Sequence, residues 1–214
     1  GLPYSISLGF DALVLAVFGG VTAGVVAALH QNSASDYSVM TVATVGVTVP
    51  NFVVGPLLQL VFGLMLGLLP LGGWGGGDLS HRILPTIALA LPQMAVIARL
   101  TRGAMIEALR ADHIRTLRAN GLSNSIIITH ALRGALLPVI SYLGPAAAAL
   151  VTGSVVIEKI FAIPGVGAYF VDGALNRDYT LVMGTVVMLA GFVVIFNLIV
   201  DLLYAALDPR VRYE

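Results

Sequence analysis

The sequence predicts an all-α membrane protein, a bundle of five helical spans, and three observations carry that prediction. Of its 214 residues, 58% are hydrophobic and 10% charged, against roughly 25% charged in soluble domains. Mean hydropathy is +0.96. Five stretches are uncharged for the about 20 residues that a helix needs to cross a ~30 Å hydrocarbon core, or nearly so. No stretch alternates polar and apolar residues for long enough to build a barrel, which leaves helices as the way to satisfy the backbone in lipid.

The first stretch, 12–29, extends back through Asp11 to about Ser5. The second, 41–69, is long enough to cross with a tilt or to break near Pro50-Asn51 and Pro56. The third, 83–98, is short, but Arg99 and Arg102 at its end can snorkel toward the headgroups. Residues 134–157 and 179–200 make the fourth and fifth. The chain reads as one transmembrane domain, 1–214, with a polar loop at 106–135.

Arginine and lysine near the span ends set the orientation. If the polar loop is cytoplasmic, that side holds Arg99, Arg102, Arg110, Arg115, Arg118, Arg133, Arg210 and Arg212, and the other side Arg82, Lys159 and Arg177. The C-terminus is then cytoplasmic and Gly1 lies outside. A sixth span is therefore expected ahead of Gly1, to carry the start of this chain across.

Net charge is zero, with 11 basic and 11 acidic residues, which argues against a nucleic-acid partner. The chain has no cysteine, so disulfide frameworks and thiolate metal sites are excluded. The four histidines, at 30, 81, 113 and 130, show no metal-ligand spacing, so no metal site is expected. There is no G-x-x-x-x-G-K-[ST] phosphate loop and no catalytic constellation.

The polar loop has an internal pattern. Ile114 and Leu117 lie three apart, as do Arg115 and Arg118, so a short helix presents an apolar edge beside a basic one. Gly121 suits its end, and Ser123 or Asn124 suits the cap of a second short helix from Ile126. Such a projection fits the cleft of a soluble partner; on spacing alone, arginines bound to membrane lipid headgroups fit as well.

Polar residues within or beside the spans are the candidates for a pathway or gate: Asn51 beside Pro50, Glu158 with Lys159, and Asn197 four residues before Asp201. Glu158 and Lys159 read as an ion pair at a span end, either solvated or closing a gate. Asp11 either faces a wet cavity or precedes the helix. Trp74, among five glycines in the outer connection 70–82, reads as an interfacial anchor. The other outer connection, 158–178, has an apolar core and reads as a segment that dips back into the membrane.

Ile114-Arg-Thr-Leu-Arg-Ala-Asn-Gly-Leu122, His130-Ala-Leu-Arg and Ala135-Leu-Leu-Pro138 resemble the cytoplasmic EAA loop of ABC-importer permeases, in the form carried by the oligopeptide/dipeptide branch. The resemblance continues in Ile83-Leu-Pro, Arg99-Leu-Thr-Arg, Gly153-Ser, Glu158, Pro164-Gly-Val-Gly, Asn176-Arg-Asp-Tyr, Asp201-Leu-Leu-Tyr and Leu207-Asp-Pro-Arg-Val-Arg-Tyr, and so covers nearly the whole chain. It implies the type I ABC importer permease fold, of whose six spans this chain resembles the last five. It implies an oligopeptide permease subunit, with a dipeptide or nickel permease of the same branch as the alternative.

The resemblance further implies that Arg115, Thr116, Leu117, Arg118, Ala119, Gly121 and Leu122 form a coupling helix seated on an ATPase subunit. Arg115-Thr-Leu stands where the general motif has Glu-Ala-Ala, so no contact specific to that glutamate carries over. The implied partners are a second permease subunit, two ATPase subunits that hold the ATP and Mg, and an extracytoplasmic peptide-binding protein, in a bacterial inner membrane. No cofactor is expected on this chain. The residues by themselves also fit two other classes: an ion-coupled secondary transporter using Asp11 or Asp201, and a structural membrane scaffold.

Overall fold

The computed structural model describes residues 1–207, apart from the side chains of 201 and 203–207. Helices α1 (Leu2–Leu29), α4 (Leu79–Arg110), α6 (Asn124–Ile160) and α8 (Tyr179–Leu207) are long and apolar enough to cross a membrane. Helix α2 (Ala34–Thr48) and α3 (Asn51–Leu58), the latter continued by π-helical turns at Gln59–Met65, are bent by 107° and together are long and apolar enough for a fifth, broken span or a re-entrant segment. Two short helices, α5 (Asp112–Ala119) and α7 (Val166–Leu175), lie in connections. No strand occurs among the described residues.

The centre of the bundle is the contact of α1 with α4. Leu8, Ala12, Ala16, Gly20, Gly24 and Ala28 recur every four residues along α1 and are all buried. A Cβ at Gly20 would lie 2.7 Å from the Met94 carbonyl, and one at Gly24 would lie 2.6 Å from the Ala98 carbonyl. The two backbones therefore touch, a contact that small residues alone permit between membrane helices. Helix α6 packs against this pair through Val139, Leu150 and Ile157, which share one apolar core with Leu84, Leu89 and Ile97 of α4.

The second span breaks where the sequence allows it. Val49 is extended (φ −82°, ψ 120°), as the residue before a proline tends to be. Pro50, without an N–H, caps α3 instead of continuing α2. Pro56 does not break the chain; α3 reads through it and then widens into π turns.

Two expectations need correction. The third span is 32 residues rather than a short 83–98, and about 48 Å of helix exceeds the ~30 Å core. Arg99 and Arg102 therefore lie inside a helix that continues past them. The fourth span absorbs the helix expected from Ile126: α6 runs unbroken for 37 residues, through Pro138 and Pro145. The outer connection 158–178, expected to dip back, holds the ten-residue α7, which at about 15 Å is too short to cross and packs on α6, α8 and α1.

Candidate functional site

At one end of the bundle the extensions of α4 and α6 carry α5 between them. Only Ala111, extended at φ −66° and ψ 149°, separates α4 from α5, so the chain turns there without a loop. Ile114 has no exposed surface and joins Met105, Ile127, Ala131, Ala135 and Ala28 in a small core; Leu117 packs against the same cluster from a half-buried position. Arg115, Thr116, Arg118 and Ala119 are exposed. The apolar edge read from the spacing holds α5 down, and the basic edge faces outward.

The chain leaves α5 through Asn120 and Gly121. At Gly121 φ is +75°, a left-handed conformation in which a Cβ costs roughly 1–2 kcal/mol. Gly121 N–H donates to the Arg118 carbonyl at 3.0 Å and Leu122 N–H to the Leu117 carbonyl at 3.3 Å. These two bonds make a Schellman turn, which satisfies the last carbonyls of the helix and fixes the direction of exit. Ser123 then caps α6 by position, although its side chain makes no capping bond. The seven predicted loop residues are thus brought together in one projection.

The turn from α1 to α2 lies at the same end. Arg110 donates to Gln31 at 3.2 Å. Arg102 makes two bonds to Asp36, Nε to Oδ1 and Nη2 to Oδ2, each 2.6 Å. Asp36 is 1% exposed and also accepts from Asn32 N–H at 2.9 Å. Arg102 does not snorkel away into headgroups; it closes on a buried carboxylate. The sequence reading missed Asp36, and the signals were there: Ser33-x-x-Asp36 at a helix start, and an arginine inside a span that requires a partner.

At the opposite end the side chains tie connections to the helices. Arg82 pairs with Asp11 and donates to Ser7 at 2.8 Å. Helix α1 begins at Leu2, so Asp11 lies inside it rather than before it, and an arginine answers its charge. Trp74 packs edge-on against Tyr4, with ring centroids 5.2 Å apart, under the Arg82 guanidinium. It is fastened to α1 and α4 by these contacts. Gly73 N–H donates to the Phe161 carbonyl at 2.7 Å, which joins the two connections.

Glu158 does not pair with Lys159. Lys159 reaches Asp172 of α7 at 2.5 Å. Glu158 is fully buried, and its Oε2 accepts from Gly167 N–H at 2.7 Å while Oε1 has no partner. Ser5 Oγ accepts from Val166 N–H at 2.8 Å. Two side chains from α1 and α6 thus satisfy the first two N–H groups of α7, donors that a helix cannot satisfy itself. The solvated or gating ion pair is corrected to a buried cap.

The three pathway candidates with described side chains, Asn51, Glu158 and Asn197, do not converge. Asn51, half-buried, sits over Gly153 of α6, where a Cβ would be 3.4 Å from its Nδ2. Asn197 Nδ2 donates to the Val193 carbonyl at 2.9 Å, and its amide fills the space over Gly144 of α6. Gly144, Gly153 and Glu158 are separated along α6 by about 14 and about 8 Å at 1.5 Å per residue. The side chain of Asp201 lies outside the described residues, as do Arg210, Arg212 and the motif after Leu207. Among the described residues no group of acids and histidines is placed to hold a metal ion.

Residues 20–213 match the family described as binding-protein-dependent transport system inner membrane component. The chain belongs to this family. It is 53% identical over 212 residues to the oligopeptide transport system permease protein OppB of Haemophilus influenzae, covering 99% of this chain and 69% of that protein. The Escherichia coli protein of the same name is 54% identical with the same coverage. The dipeptide transport system permease protein DppB of Bacillus subtilis is 49% identical over 213 residues, 99% of this chain and 68% of that protein. The family is that of type I ABC importer permeases, so the bundle is a multi-pass inner-membrane permease subunit. The ion-coupled transporter and the scaffold are set aside.

Proposed function

We propose that this permease subunit lines half of the path by which an ATP-driven importer carries oligopeptides inward, and that α5 is its coupling helix. The observation that carries the reading is the exposed edge of Arg115, Thr116, Arg118 and Ala119, held by Ile114 beneath and by the Gly121 turn behind. A basic face on a fixed base suits a cleft in a soluble partner. Two ATPase subunits, which hold ATP and Mg, are that partner. A second permease subunit and an extracytoplasmic peptide-binding protein complete the complex, with α5 and the C-terminus cytoplasmic.

In this reading, closure of the ATPases displaces α5. The displacement passes to α4 through Ala111 and to α6 through the Schellman turn, since neither junction has slack. Two helices that project past the membrane then act as levers on the bundle. Catalysis resides on the partner chains; this chain supplies the path and the linkage. Asn51, half-buried at the Pro50 break, is the polar residue we assign to meet a passing peptide backbone.

Similarity to both oligopeptide and dipeptide permeases leaves peptide length to experiment. The assembled complex in proteoliposomes, loaded with ATP, is offered labelled peptides of two to five residues and, separately, nickel. ATP-dependent uptake of peptides longer than two residues is the expected result. Uptake confined to dipeptides or to nickel, or uptake driven by an ion gradient without ATP, would contradict it.

A further inference from the structure

Helix α2 is held differently from its neighbours. Of its fifteen residues only Asp36 and Ala43 are buried. Where it crosses α4, a Cβ added at Gly46 would make ordinary contacts, 3.5 Å from Ala95 Cβ and 3.6 Å from the Leu91 carbonyl. The α1–α4 crossing has no such room: a Cβ at Gly24 would stand 2.6 Å from the Ala98 carbonyl and 2.6 Å from Thr101 Cβ. So α1 and α4 interlock, whereas α2 rests on α4.

The charged tie between α2 and α4 is a fork at the base of α2. Arg102 Nε and Nη2 each meet a different Asp36 oxygen at 2.6 Å, and Asn32 N–H meets Oδ2 at 2.9 Å. A bidentate guanidinium sets direction as well as distance. Asp36 stands in the first turn of α2, and the helix runs from there to the break at Pro50 and Asn51. Arg102 stands eight residues before Arg110, the last residue of α4 before α5. The fork therefore links the helix that carries the projecting loop to the helix that carries the break.

We infer that Arg102 and Asp36 are positioning residues for transport: their fork makes α2 follow α4, so that movement of α5 reaches the Pro50–Asn51 break. The inference rests on the coupling role proposed for α5. An alternative role for the pair is to neutralise two charges that would otherwise be costly in the membrane. The two roles separate in one double variant.

Asp36→Asn with Arg102→Met leaves no unpaired charge, so charge neutralisation alone predicts parental behaviour. Positioning predicts a complex that assembles and hydrolyses ATP within about twofold of the parent while peptide uptake falls roughly tenfold, the size of an ordinary coupling free energy. Arg102→Lys keeps the charge and loses the fork, and should give a smaller loss of the same kind. Spin labels at Val47→Cys and Val14→Cys, in a chain with no other cysteine, report the angle of α2 against α1; their distance distribution should broaden in the double variant.

Parental uptake and an unchanged distribution in the double variant would overturn the inference, as would failure of both Arg102→Lys and the double variant to assemble, which would make the pair a folding requirement only. Absence of ATP-driven uptake in the parent complex would instead contradict the proposed function, and the spin-label distances would still report on the fork.

Discussion

The Glu158 carboxylate, buried in α6, accepts the backbone N–H of Gly167 at 2.7 Å and so caps a helix that begins eight residues further along the chain. This contact explains Gly165, and the α6 backbone beneath it explains Gly167. A Cβ at Gly165 would collide with the carboxylate and with Ser5 Oγ, 2.7 Å away, both of them side chains. A Cβ at Gly167 would collide with the Val155 backbone as well.

Gly165→Ala and Gly167→Ala should therefore both loosen α7, and they should differ in rescue. Adding Glu158→Ala removes the main obstacle at Gly165 and should restore part of the stability lost there; it should restore none at Gly167. Thermal unfolding of the four variants in the purified complex checks this. Equal rescue at both positions would contradict the geometry.

Glu158→Gln retains an acceptor for Gly167 N–H and should cost less than about 1 kcal/mol. Glu158→Ala leaves that N–H buried without a partner, which costs about 1–3 kcal/mol. Proteolysis within 162–178, compared between the two variants, measures the opening of α7.

Ile114→Ala should cost about 2–5 kcal/mol locally, the range for truncating a fully buried aliphatic side chain, and should free α5 from the bundle. Arg115→Ala, which loses only the exposed pair with Asp112, should change stability by less than about 0.5 kcal/mol. Both should lower uptake in the reconstituted complex, the first through loss of the base and the second through loss of the contact. Normal uptake by Arg115→Ala would remove that residue from the coupling face.

The left-handed backbone at Gly121 has no neighbouring atom within 4 Å of an added Cβ, so its substitution cost is conformational. Asn, which tolerates this region, should be nearly neutral. Val should cost about 1–2 kcal/mol or turn the exit of α5, and it should reduce uptake more than ATP hydrolysis. Equal behaviour of the two variants would mean that the turn does not set the direction of the loop.

Much of this was legible in the sequence. Apolar length located the spans, and the prolines allowed the second to tilt or to break at Pro50 or Pro56, of which the structure takes Pro50. The Ile114–Leu117 edge and Gly121 gave α5 and its end, because local spacing alone decides a short amphipathic helix and a left-handed turn. The lengths of α4 and α6 were not legible: charged residues stop a hydropathy window, whereas Arg99 and Arg102 leave the helix itself intact.

The partners of charged side chains were equally hidden. Arg82 with Asp11, Arg102 with Asp36 and Lys159 with Asp172 are 71, 66 and 13 residues apart, and only the packing of α1 and of α2 on α4, or the fold of α7, brings them within reach. Adjacent Glu158 and Lys159 looked like a pair and point to different partners, since neighbouring residues on a helix do not face each other.

The central claim is that α5 is the element through which ATPase movement enters this permease. The absence of cysteine makes a direct measurement possible. Ala119→Cys, on the exposed edge of α5, is paired with a single cysteine in the cleft of the ATPase subunit in the assembled complex, and disulfide yield is compared with and without ATP. The account predicts a cross-link whose yield changes with nucleotide. Absence of any cross-link from cysteines placed in turn at 115–122, in a complex that remains intact, would contradict it.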